Sequence, residues 1–315
     1  FLFFGWGASG GGCVFFPSHT TPPPLILGAG SNLLFTGDVA DRLVLKVELK
    51  GREYIYLADG LVNLKVAAGE MLDEVVADTV ARGLWGMENL SAIPGTIGAV
   101  PIQNVGAYGV EVSDMITEVE AFSLAEKVYR IFTNEECRFG YRDSFFKSDA
   151  GRAYVITAVT FRLSRLARPC LSYIDLRNYF SDQPHPSLTS IRTAVMEIRS
   201  KKFPDWQVVG TAGSFFKNLV VARKAGEALL ARYPELPLYE VSSDLVKLPL
   251  GFILDKICGL KGYRVGPVGL YEAQALVLVN YGGATATEIL SFVRYVMTTV
   301  KEKTGLEIEP EVRVV

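Results

Sequence analysis

One long glycine-rich stretch of the sequence has residue types that a hydrophobic core does not require. From Asn89 to Glu111 it reads NLSAIPGTIGAVPIQNVGAYGVE. Its glycines leave main-chain N–H groups open to a ligand, while Pro94 and Pro101 stiffen the path between them. Short strands joined by turns would use some of the same residues, and a single glycine pair favours that interpretation. The length of this run instead favours a loop that closes on a diphosphate.

A second glycine stretch follows an apolar run nearer the N-terminus. Residues 25–34 read LILGAGSNLL, which predicts a strand followed by a turn of the phosphate-binding type. The third glycine of the dinucleotide fingerprint is missing, and no clear amphipathic helix follows, so the pattern supports a Rossmann domain only weakly. Two glycine-rich loops far apart in the chain fit better a long cofactor that is held from two sides.

Three further side chains could take part in chemistry. Arg142 lies in FGYRDSFFK and, taken alone, is an exposed charge or the partner of Asp143. Ser214 lies in GTAGSFFKN, where no G-x-S-x-G elbow surrounds it and neither histidine has a triad context, so its simplest role is a hydroxyl bonded to nearby backbone. Glu311 lies in EIEPEVR, on a strand face that ordinarily meets water. The residues alone leave these alternatives open.

Taken together, these segments resemble the UDP-N-acetylenolpyruvoylglucosamine reductase family, MurB. The resemblance runs from about Pro24 to the end and rests on LILGAGSNLL, ENLSAIPGTIGAVPIQNVGAYGVE, ECRFGYRDSFFK, GTAGSFFKN, AQALVLVN and EIEPEVR. It implies a flavoenzyme that reduces UDP-N-acetylglucosamine enolpyruvate to UDP-N-acetylmuramate in peptidoglycan precursor synthesis, with FAD and NADPH as cofactors. Hydride would pass from NADPH to flavin N5 and then to C3 of the enolpyruvyl group.

The resemblance also implies roles for individual residues. Arg142 and Glu311, with Glu311 protonated, would polarise the substrate carboxylate, and Ser214 would protonate C2. The implied cofactor contacts are Gly28, Gly30, Ser31, Asn32, Pro94, Gly95, Gly98, Asn104, Gly106, Tyr108 and Gly109. The implied substrate contacts are Tyr173, Lys202, Asn218, Tyr239 and Gln274. Tyr173 matches a substrate-covering tyrosine in the subgroup of the family that carries this insertion, and a tyrosine packed on a linker is the alternative.

The sequence departs from the family pattern at several positions. No T-F-G-type flavin contact precedes Pro24, which indicates a fragment or an altered start and predicts weaker flavin binding. Phe203 and Trp206 differ from the family's K-L-P-D-P, and Thr211 and Leu219 stand where Asn and Pro are more frequent. The alternative functions are another FAD-dependent oxidoreductase of the same superfamily and a non-catalytic UDP-sugar-binding remnant. Arg142, Ser214 and Glu311 together argue against an oxidase, which has no need of a serine proton donor.

Length and composition restrict the class of protein. A chain of 315 residues with 49% hydrophobic and 21% charged residues is typical of a folded protein with two or three subdomains. The net charge of −2 provides no overall basic field for nucleic acid, and no run approaches the roughly 20 apolar residues of a membrane span. Four scattered cysteines and two histidines predict neither a metal site nor a disulfide scaffold. We therefore expect a cytoplasmic protein without nucleic-acid, membrane or metal partners. A monomer is also expected, although composition does not determine the oligomeric state.

The elements that position these residues mix helices and strands. Apolar spacing predicts helices from Glu70 to Arg82, from Ile191 to about Lys201 and from Ala222 to Arg232. A capping box at Thr285 and Glu288 begins another helix, which Gly305 follows. Alternating apolar residues predict strands at AYVITAVTFRL and QALVLVN.

The final segment, LEIEPEVRVV, also predicts a strand, with Glu307, Glu309 and Glu311 projecting on one face. With the resemblance, these elements predict an α+β fold. We expect an FAD-binding domain of the vanillyl-alcohol-oxidase/PCMH type in two subdomains over residues 1–203. A C-terminal α+β substrate-binding domain is expected over residues 204–315.

Overall fold

This computed structural model describes residues 24–37 and 42–315. By packing, the chain divides into two units, each with its own hydrophobic core. The first unit contains the described residues of Phe1–Ser31 and Val39–Ile198, and the second contains those of Asn32–Asp38 and Arg199–Val315. The N-terminal departure from the family pattern falls outside the described residues, and the domain boundary after residue 203 stays a prediction.

Both units combine short strands with a few longer helices. Among the described residues, the strands in chain order are β1 (Leu25–Leu27), β2 (Leu33–Leu34), β3 (Val44–Lys46), β4 (Arg52–Tyr56), β5 (Leu61–Ala67), β6 (Gly106–Ala107), β7 (Val110–Glu111), β8 (Ile116–Ser123), β9 (Tyr129–Thr133), β10 (Tyr154–Ser164), β11 (Gly210–Ser214), β12 (Leu219–Ala222), β13 (Tyr239–Glu240), β14 (Leu245–Leu248), β15 (Arg264–Val265), β16 (Val268–Leu270), β17 (Val277–Asn280) and β18 (Arg313–Val314). The helices are α1 (Leu72–Ala81), α2 (Ile174–Tyr179), α3 (Leu188–Lys202), α4 (Arg223–Arg232), α5 (Leu250–Phe252), which a π-helical turn over Ile253–Ile257 continues, and α6 (Ala286–Thr304). Single 3-10 turns lie at Ala58–Gly60, Glu88–Leu90, Ile97–Ala99, Val112–Asp114, Phe145–Lys147 and Gly151–Ala153.

A five-stranded antiparallel sheet in the order β4-β5-β10-β8-β9 forms the first unit's framework. In β5 the alternate residues Val62, Leu64 and Val66 are fully buried, as a strand with one face on the core requires. The predicted strand AYVITAVTFRL is confirmed as β10, the central strand of this sheet. Separately, β1 pairs in parallel with β3 and carries the chain into the first glycine stretch.

The three helices predicted from apolar spacing are confirmed as α1, α3 and α4, with ends that shift by a few residues. α1 buries Leu72, Val75 and Val76 on one face. It ends just before Gly83, whose φ of +71° reverses the chain without the steric cost that a Cβ would bring.

The second unit contains a four-stranded sheet in the order β11-β17-β16-β15 and a three-stranded sheet in the order β12-β14-β13. The predicted capping box of α6 is confirmed: the Thr285 hydroxyl accepts from the Glu288 N–H at 3.2 Å, and the Glu288 carboxylate accepts from the Thr285 N–H at 2.7 Å. Gly305 ends the helix with a φ of +76°. The strand predicted at QALVLVN is shorter and occupies Val277–Asn280.

The prediction of a continuous strand over LEIEPEVRVV is wrong. Only Arg313–Val314 is a strand, and it pairs in parallel with β2. Pro310 has no N–H to donate and makes an isolated bridge to Phe216. The predicted alternation of faces is nevertheless present, because Ile308 and Val312 are buried whereas Glu309 is exposed.

Across residues 24–37 and 42–315, no helix is both long enough and apolar enough to cross a bilayer. The same residues contain no group of three His, Cys, Asp or Glu side chains placed as metal ligands would be. Within these ranges Cys137, Cys170 and Cys258 are free thiols. Burial raises the pKa of Cys137 to about 12 and that of Cys258 to about 11, so both thiols stay protonated near neutral pH.

Candidate functional site

The two glycine stretches, which are far apart in the sequence, meet in the first unit. The Ser31 hydroxyl donates to the Pro94 carbonyl oxygen at 3.3 Å. A Cβ added to Gly28 would lie 2.4 Å from the Thr96 Oγ1, so the Gly28 backbone approaches the Thr96 side chain more closely than any residue with a Cβ allows. The sequence predicts that the two glycine stretches hold one cofactor from two sides. In agreement with this, residues 28–31 contact residues 94–96.

This junction presents main-chain donors. Among the described residues, the N–H groups of residues 28–31 have no hydrogen-bond acceptor. Consecutive N–H groups of this kind bind anionic oxygens in phosphate-binding loops, because each donor keeps its partial positive charge for the ligand. Gly30 has a φ of +75°, which turns the chain within the run. The junction fits the diphosphate of a dinucleotide such as FAD.

The later half of the glycine-rich stretch forms a hairpin of β6 and β7. Tyr108 and Gly109 make the two-residue turn with φ values of +51° and +88°, the signs that a type I′ turn requires. A tyrosine in the left-handed region costs on the order of 1 kcal/mol or more, and such strain concentrates at functional sites. Asn104 and Ala92, with φ values of +44° and +58°, are in the same region of backbone space.

Arg142 lies against this hairpin. Its guanidinium donates to the Gly106 carbonyl oxygen at 2.6 Å and to the Asn104 carbonyl oxygen at 3.4 Å. Its own φ is +54°, and its carbonyl oxygen accepts from the Lys147 ammonium at 2.5 Å. The residue type alone suggests that Arg142 is an exposed charge. In the structure, main-chain carbonyl oxygens instead hold its guanidinium, and its own backbone has a positive φ.

Asn104 is a predicted cofactor contact, but its side chain is hydrogen-bonded to other residues of the protein. The buried amide donates to the Glu111 carboxylate at 2.8 Å and to the Gly140 carbonyl oxygen at 3.0 Å, and it accepts from the Ser113 N–H at 3.1 Å. Both donors are used, so only the backbone of Asn104 is available to a cofactor. The side chain fixes the hairpin to the turn that precedes Arg142.

Tyr173 lies beside the same hairpin. Its ring meets the Tyr108 ring edge-to-face, with centroids 5.2 Å apart. The Tyr173 side chain is 41% exposed, whereas that of Tyr108 is buried. The structure therefore brings together one predicted substrate contact and one predicted cofactor contact within the first unit, and it leaves the Tyr173 ring accessible.

In the second unit, a β-bulge precedes Ser214. Thr211 pairs with Val279 and Ser214 with Val277, so three steps along β11 oppose two along β17. The Thr211 hydroxyl donates to the Leu278 carbonyl oxygen at 2.9 Å and accepts from the Gly213 N–H at 3.1 Å, which holds the bulge. An asparagine could make both bonds as well, so the departure at Thr211 preserves the local geometry.

The Ser214 hydroxyl has no hydrogen-bond partner in the part of the chain that the structure describes, and the side chain is half-buried. The alternative role of a hydroxyl bonded to nearby backbone is thus not realised among these residues. Bulges often re-aim a side chain beside an active site. The arrangement leaves the Oγ of Ser214 available to a ligand.

Glu311 is fixed next to Ser214 through the backbone. Its N–H donates to the carbonyl oxygen of Phe215, the following residue, at 2.7 Å. The Glu311 carbonyl oxygen accepts from the Asn32 amide at 3.4 Å, and the Arg313 N–H donates to the Asn32 carbonyl oxygen at 3.1 Å. The second unit therefore gathers two of the three predicted catalytic residues and one predicted cofactor contact.

Asn218 and Gln274 lie on either side of the start of α5. The Asn218 side-chain oxygen accepts from the Leu250 N–H at 3.0 Å. A Cβ added to Gly251 would lie 3.1 Å from the Gln274 Oε1, which also accepts from the Leu276 N–H at 3.3 Å. Each amide side chain keeps its nitrogen for a ligand, since no described residue accepts from either one.

The remaining predicted substrate contacts are at the edges of the second unit. Tyr239 begins β13 opposite Lys247, and its ring is half exposed, as a ring that stacks on a base must be. Lys202 is the last residue of α3. Arg142 and Tyr173 belong to the first unit, and Ser214, Glu311, Asn218, Gln274, Tyr239 and Lys202 belong to the second.

Sequence reasoning missed a set of polar residues that support the glycine-rich stretch. Asn89 is fully buried and bonds to the Tyr108 and Cys170 carbonyl oxygens. Asp73 accepts from the Ala92 N–H at 2.6 Å and pairs with Arg192. Their sequence signal is weak, because an aspartate in the first turn of a helix and an asparagine before a turn are ordinary.

Comparison with known proteins gives consistent matches over most of the chain. A family model described as UDP-N-acetylenolpyruvoylglucosamine reductase, C-terminal domain, matches residues 204–315, and one described as FAD binding domain matches residues 19–131. The UDP-N-acetylenolpyruvoylglucosamine reductase of Chromobacterium violaceum is 46% identical over 300 residues, which cover 94% of this chain and 87% of that protein. The reductase of the same name from Bdellovibrio bacteriovorus is 44% identical over 301 residues, with the same two coverages. The crystal structure of this reductase (MurB) from Thermus caldophilus matches with a TM-score of 0.62 and 25% identity, over 94% of this chain and 86% of that one.

The FAD binding domain and the junction of the two glycine stretches define the class as a flavoprotein, which confirms the predicted FAD. Because curated relatives are more than 40% identical over more than nine-tenths of its length, the chain belongs to the UDP-N-acetylenolpyruvoylglucosamine reductase family. The predicted family and the predicted fold class are confirmed. The roles of the individual site residues stay predictions.

Gly28→Ala tests the junction directly. The new Cβ would lie 2.4 Å from the Thr96 Oγ1, so the buried threonine must move and the loop of residues 28–31 must shift. We expect the FAD dissociation constant to rise on the order of tenfold or more, as for the loss of one or two charge-assisted hydrogen bonds. The measurement is quenching of flavin fluorescence during titration of apoprotein with FAD. Gly37→Ala is the control, because nothing lies within 4 Å of its added Cβ, and equal weakening in both variants would contradict the assignment.

Proposed function

We propose that the chain catalyses the NADPH-dependent reduction of UDP-N-acetylglucosamine enolpyruvate to UDP-N-acetylmuramate, with FAD, in peptidoglycan precursor synthesis. The observation that carries the proposal is the arrangement in the second unit, where the Ser214 hydroxyl follows a bulge and Glu311 is bonded to the next residue. Family membership supports the same reaction. In this proposal the enzyme is cytoplasmic, because its UDP-sugar and NADPH partners are cytoplasmic metabolites, and it acts as a monomer.

Residues 28–32 and residues 94–109 of the two glycine stretches would hold FAD. The N–H groups of residues 28–31 bind its diphosphate, and the hairpin of Gly106–Ala107 and Val110–Glu111 shapes the remaining wall. When bound, FAD supplies the transfer of hydride from NADPH to C3 of the enolpyruvyl group. The protein's own contribution is to bind and orient the substrate and to manage charge and protons at the reacting atoms.

Arg142 and Glu311 act on the substrate carboxylate. Negative charge moves toward this group as C3 accepts hydride, so a cation and an acid that contact it stabilise the transition state more than the ground state. The bonds from Arg142 to the Gly106 and Asn104 carbonyl oxygens fix the guanidinium before the substrate arrives. The bond from the Glu311 N–H to the Phe215 carbonyl oxygen fixes the backbone from which the Glu311 carboxyl group extends.

Ser214 holds the proton that C2 receives. After hydride has reached C3, C2 has carbanion character, and the Oγ–H of Ser214 donates its proton there. The absence of another acceptor for this hydroxyl among the described residues supports the role. Lys217, which extends from the same segment toward Glu309 at 3.3 Å, is the nearest cation along the chain that could help to replace the proton.

The remaining polar and aromatic residues bind the UDP-sugar. The exposed ring of Tyr239 stacks on uracil, and the amides of Asn218 and Gln274 donate to sugar or phosphate oxygens. Tyr173 covers the bound substrate, and Lys202 contributes a cation to the diphosphate. The assay of NADPH oxidation with purified enzyme and UDP-N-acetylglucosamine enolpyruvate tests the whole proposal. Substrate-dependent oxidation with formation of UDP-N-acetylmuramate supports it, whereas consumption of dioxygen without the sugar nucleotide would indicate an oxidase.

The flavin is expected to be bound without a covalent link. No histidine or cysteine of the described residues lies in the glycine stretches, although Cys170 lies 3.5 Å from the Gly109 carbonyl oxygen. Acid precipitation of the purified yellow protein should release all the flavin into the supernatant. Flavin that stays with the precipitate would contradict this prediction, and a colourless protein that ignores added FAD would contradict cofactor binding itself.

A further inference from the structure

Asn89 is a fully buried amide in the first unit that the proposed mechanism does not use. Its nitrogen donates to the Tyr108 carbonyl oxygen at 2.8 Å and to the Cys170 carbonyl oxygen at 2.9 Å. Tyr108 lies in the turn of the glycine-rich hairpin, whereas Cys170 lies three residues before Tyr173. One side chain thus fastens the hairpin turn to the segment that carries the substrate-covering tyrosine.

Asparagine suits position 89 better than an acidic or an apolar residue would. The Asn89 Oδ1 is buried and has no hydrogen-bond partner among the described residues. Leaving this buried oxygen without a donor is unfavourable. The two hydrogen bonds that the Asn89 nitrogen donates offset that cost. Aspartate would set a carboxylate against two carbonyl oxygens, and an apolar residue would leave both carbonyl oxygens without a donor.

The hairpin turn and the segment also touch directly. A Cβ added to Gly109 would lie 2.7 Å from the Ser172 Oγ and 3.3 Å from the Cys170 sulfur. The rings of Tyr108 and Tyr173 are in edge-to-face contact. Because these contacts adjoin the Asn89 bonds, a movement of Cys170 away from the turn would carry the Tyr173 ring with it.

A second attachment lies farther along the same part of the chain. Arg192 on α3 pairs with both carboxylate oxygens of Asp73, at 2.6 and 3.1 Å, and its side chain is only 16% exposed. The same Asp73 accepts from the Ala92 N–H at 2.6 Å. Residues 170–192 are therefore fixed at both ends to the chain between Asn89 and Ala92, at the start of the glycine-rich stretch.

We propose that Asn89 is a positioning residue that holds residues 170–173 against the turn of Tyr108 and Gly109 and so sets the affinity for the sugar nucleotide. The inference rests on the proposed function, because it takes Tyr173 to cover the substrate. Asn89 acts through Tyr173 and touches neither substrate nor reacting atoms. Its loss should therefore alter the KM for the sugar nucleotide more than the rate of flavin reduction.

In Asn89→Ala, the KM for UDP-N-acetylglucosamine enolpyruvate should rise on the order of tenfold, while flavin content and flavin reduction by NADPH stay within about twofold of the parent. In a Tyr173→Ala background, the same substitution should change KM by less than about twofold, because residues that act as one unit are not additive. Asn134→Ala is the matched control. Its amide nitrogen also bridges two carbonyl oxygens, those of Ser113 at 2.9 Å and Ile116 at 2.7 Å, and its KM should be parental.

An equal rise in KM in the Tyr173→Ala background would overturn the inference, as would an equal rise in Asn134→Ala. If Asn89→Ala fails to fold, Arg192→Lys tests the second attachment, since lysine cannot make the bidentate pair with Asp73. Hydrogen exchange followed by mass spectrometry needs no substrate: the peptide over residues 166–176 should exchange faster in either variant than in the parent. Failure of the parent to turn over the sugar nucleotide would instead contradict the proposed function, and unchanged exchange would contradict the inference independently.

Discussion

In Ser214→Ala, reduction of the flavin by NADPH should keep the parental rate within about twofold, whereas reoxidation by the enolpyruvyl substrate should slow on the order of 10²-fold or more. The two half-reactions differ because the proton from Ser214 is needed only after hydride has reached C3. Stopped-flow absorbance of the flavin follows each half separately, and the ratio of the two effects is the diagnostic quantity.

The structure offers a control for loop shape in the same strand. Thr211 holds the bulge before Ser214 through two hydrogen bonds, so Thr211→Val should disturb the geometry while it keeps the Ser214 hydroxyl. If Ser214→Ala slows both halves alike, as a distorted loop would, the serine supports the segment and is not a proton donor. If neither half slows, the proton that reaches C2 comes from another group.

Glu311→Gln is the second substitution for which we expect a large effect. Glutamine keeps the shape and the hydrogen-bonding capacity of the side chain but cannot hold or release a proton. Reoxidation by the enolpyruvyl substrate should slow by about 10²-fold, the loss typical of one preorganised group at the reacting centre, with substrate affinity within a few-fold of the parent. Single-turnover flavin reoxidation at several substrate concentrations separates the rate from the affinity.

Glu309→Gln provides the matched control for this prediction. It makes the same chemical change two residues earlier, on a side chain that is exposed and whose ion pair with Lys217 at 3.3 Å is at the surface. Surface pairs of this kind contribute about 0–1 kcal/mol, so turnover should be parental. If the Glu311→Gln enzyme turns over as fast as the Glu309→Gln enzyme, Glu311 has no catalytic role and its side chain simply meets water.

The parts of the fold that the sequence predicts well are those in which a local pattern and the tertiary packing agree. α6 shows this agreement, because Thr285 and Glu288 cap its start and Gly305 ends it with a positive φ. The final segment shows the opposite case. Its alternating residues have the period of a strand, but the hydrogen bonds that define a strand depend on partners distant in sequence, and Pro310 removes one donor.

For the candidate site, glycine spacing predicts that two loops cooperate, and the contact of Ser31 with Pro94 agrees with that prediction. The spacing could not predict that the Asn104 amide nitrogen donates both of its hydrogen bonds to Glu111 and Gly140, since such bonds depend on the path of the folded chain. Nor could it reveal Asn89, whose importance follows from burial and from the two carbonyl oxygens that it reaches.

The parallel pairing of β2 with β18 has a consequence for the order of events during synthesis. Asn32, at the end of the first glycine stretch, bonds to Glu311, which is 279 residues later in the chain. A contact of such long sequence separation forms late, because the intervening chain must first be made and ordered. On the ribosome, the loop that we propose binds the diphosphate would therefore stay without this support until the chain has been made as far as Arg313. Nascent chains that stop short of Arg313 should therefore not retain flavin.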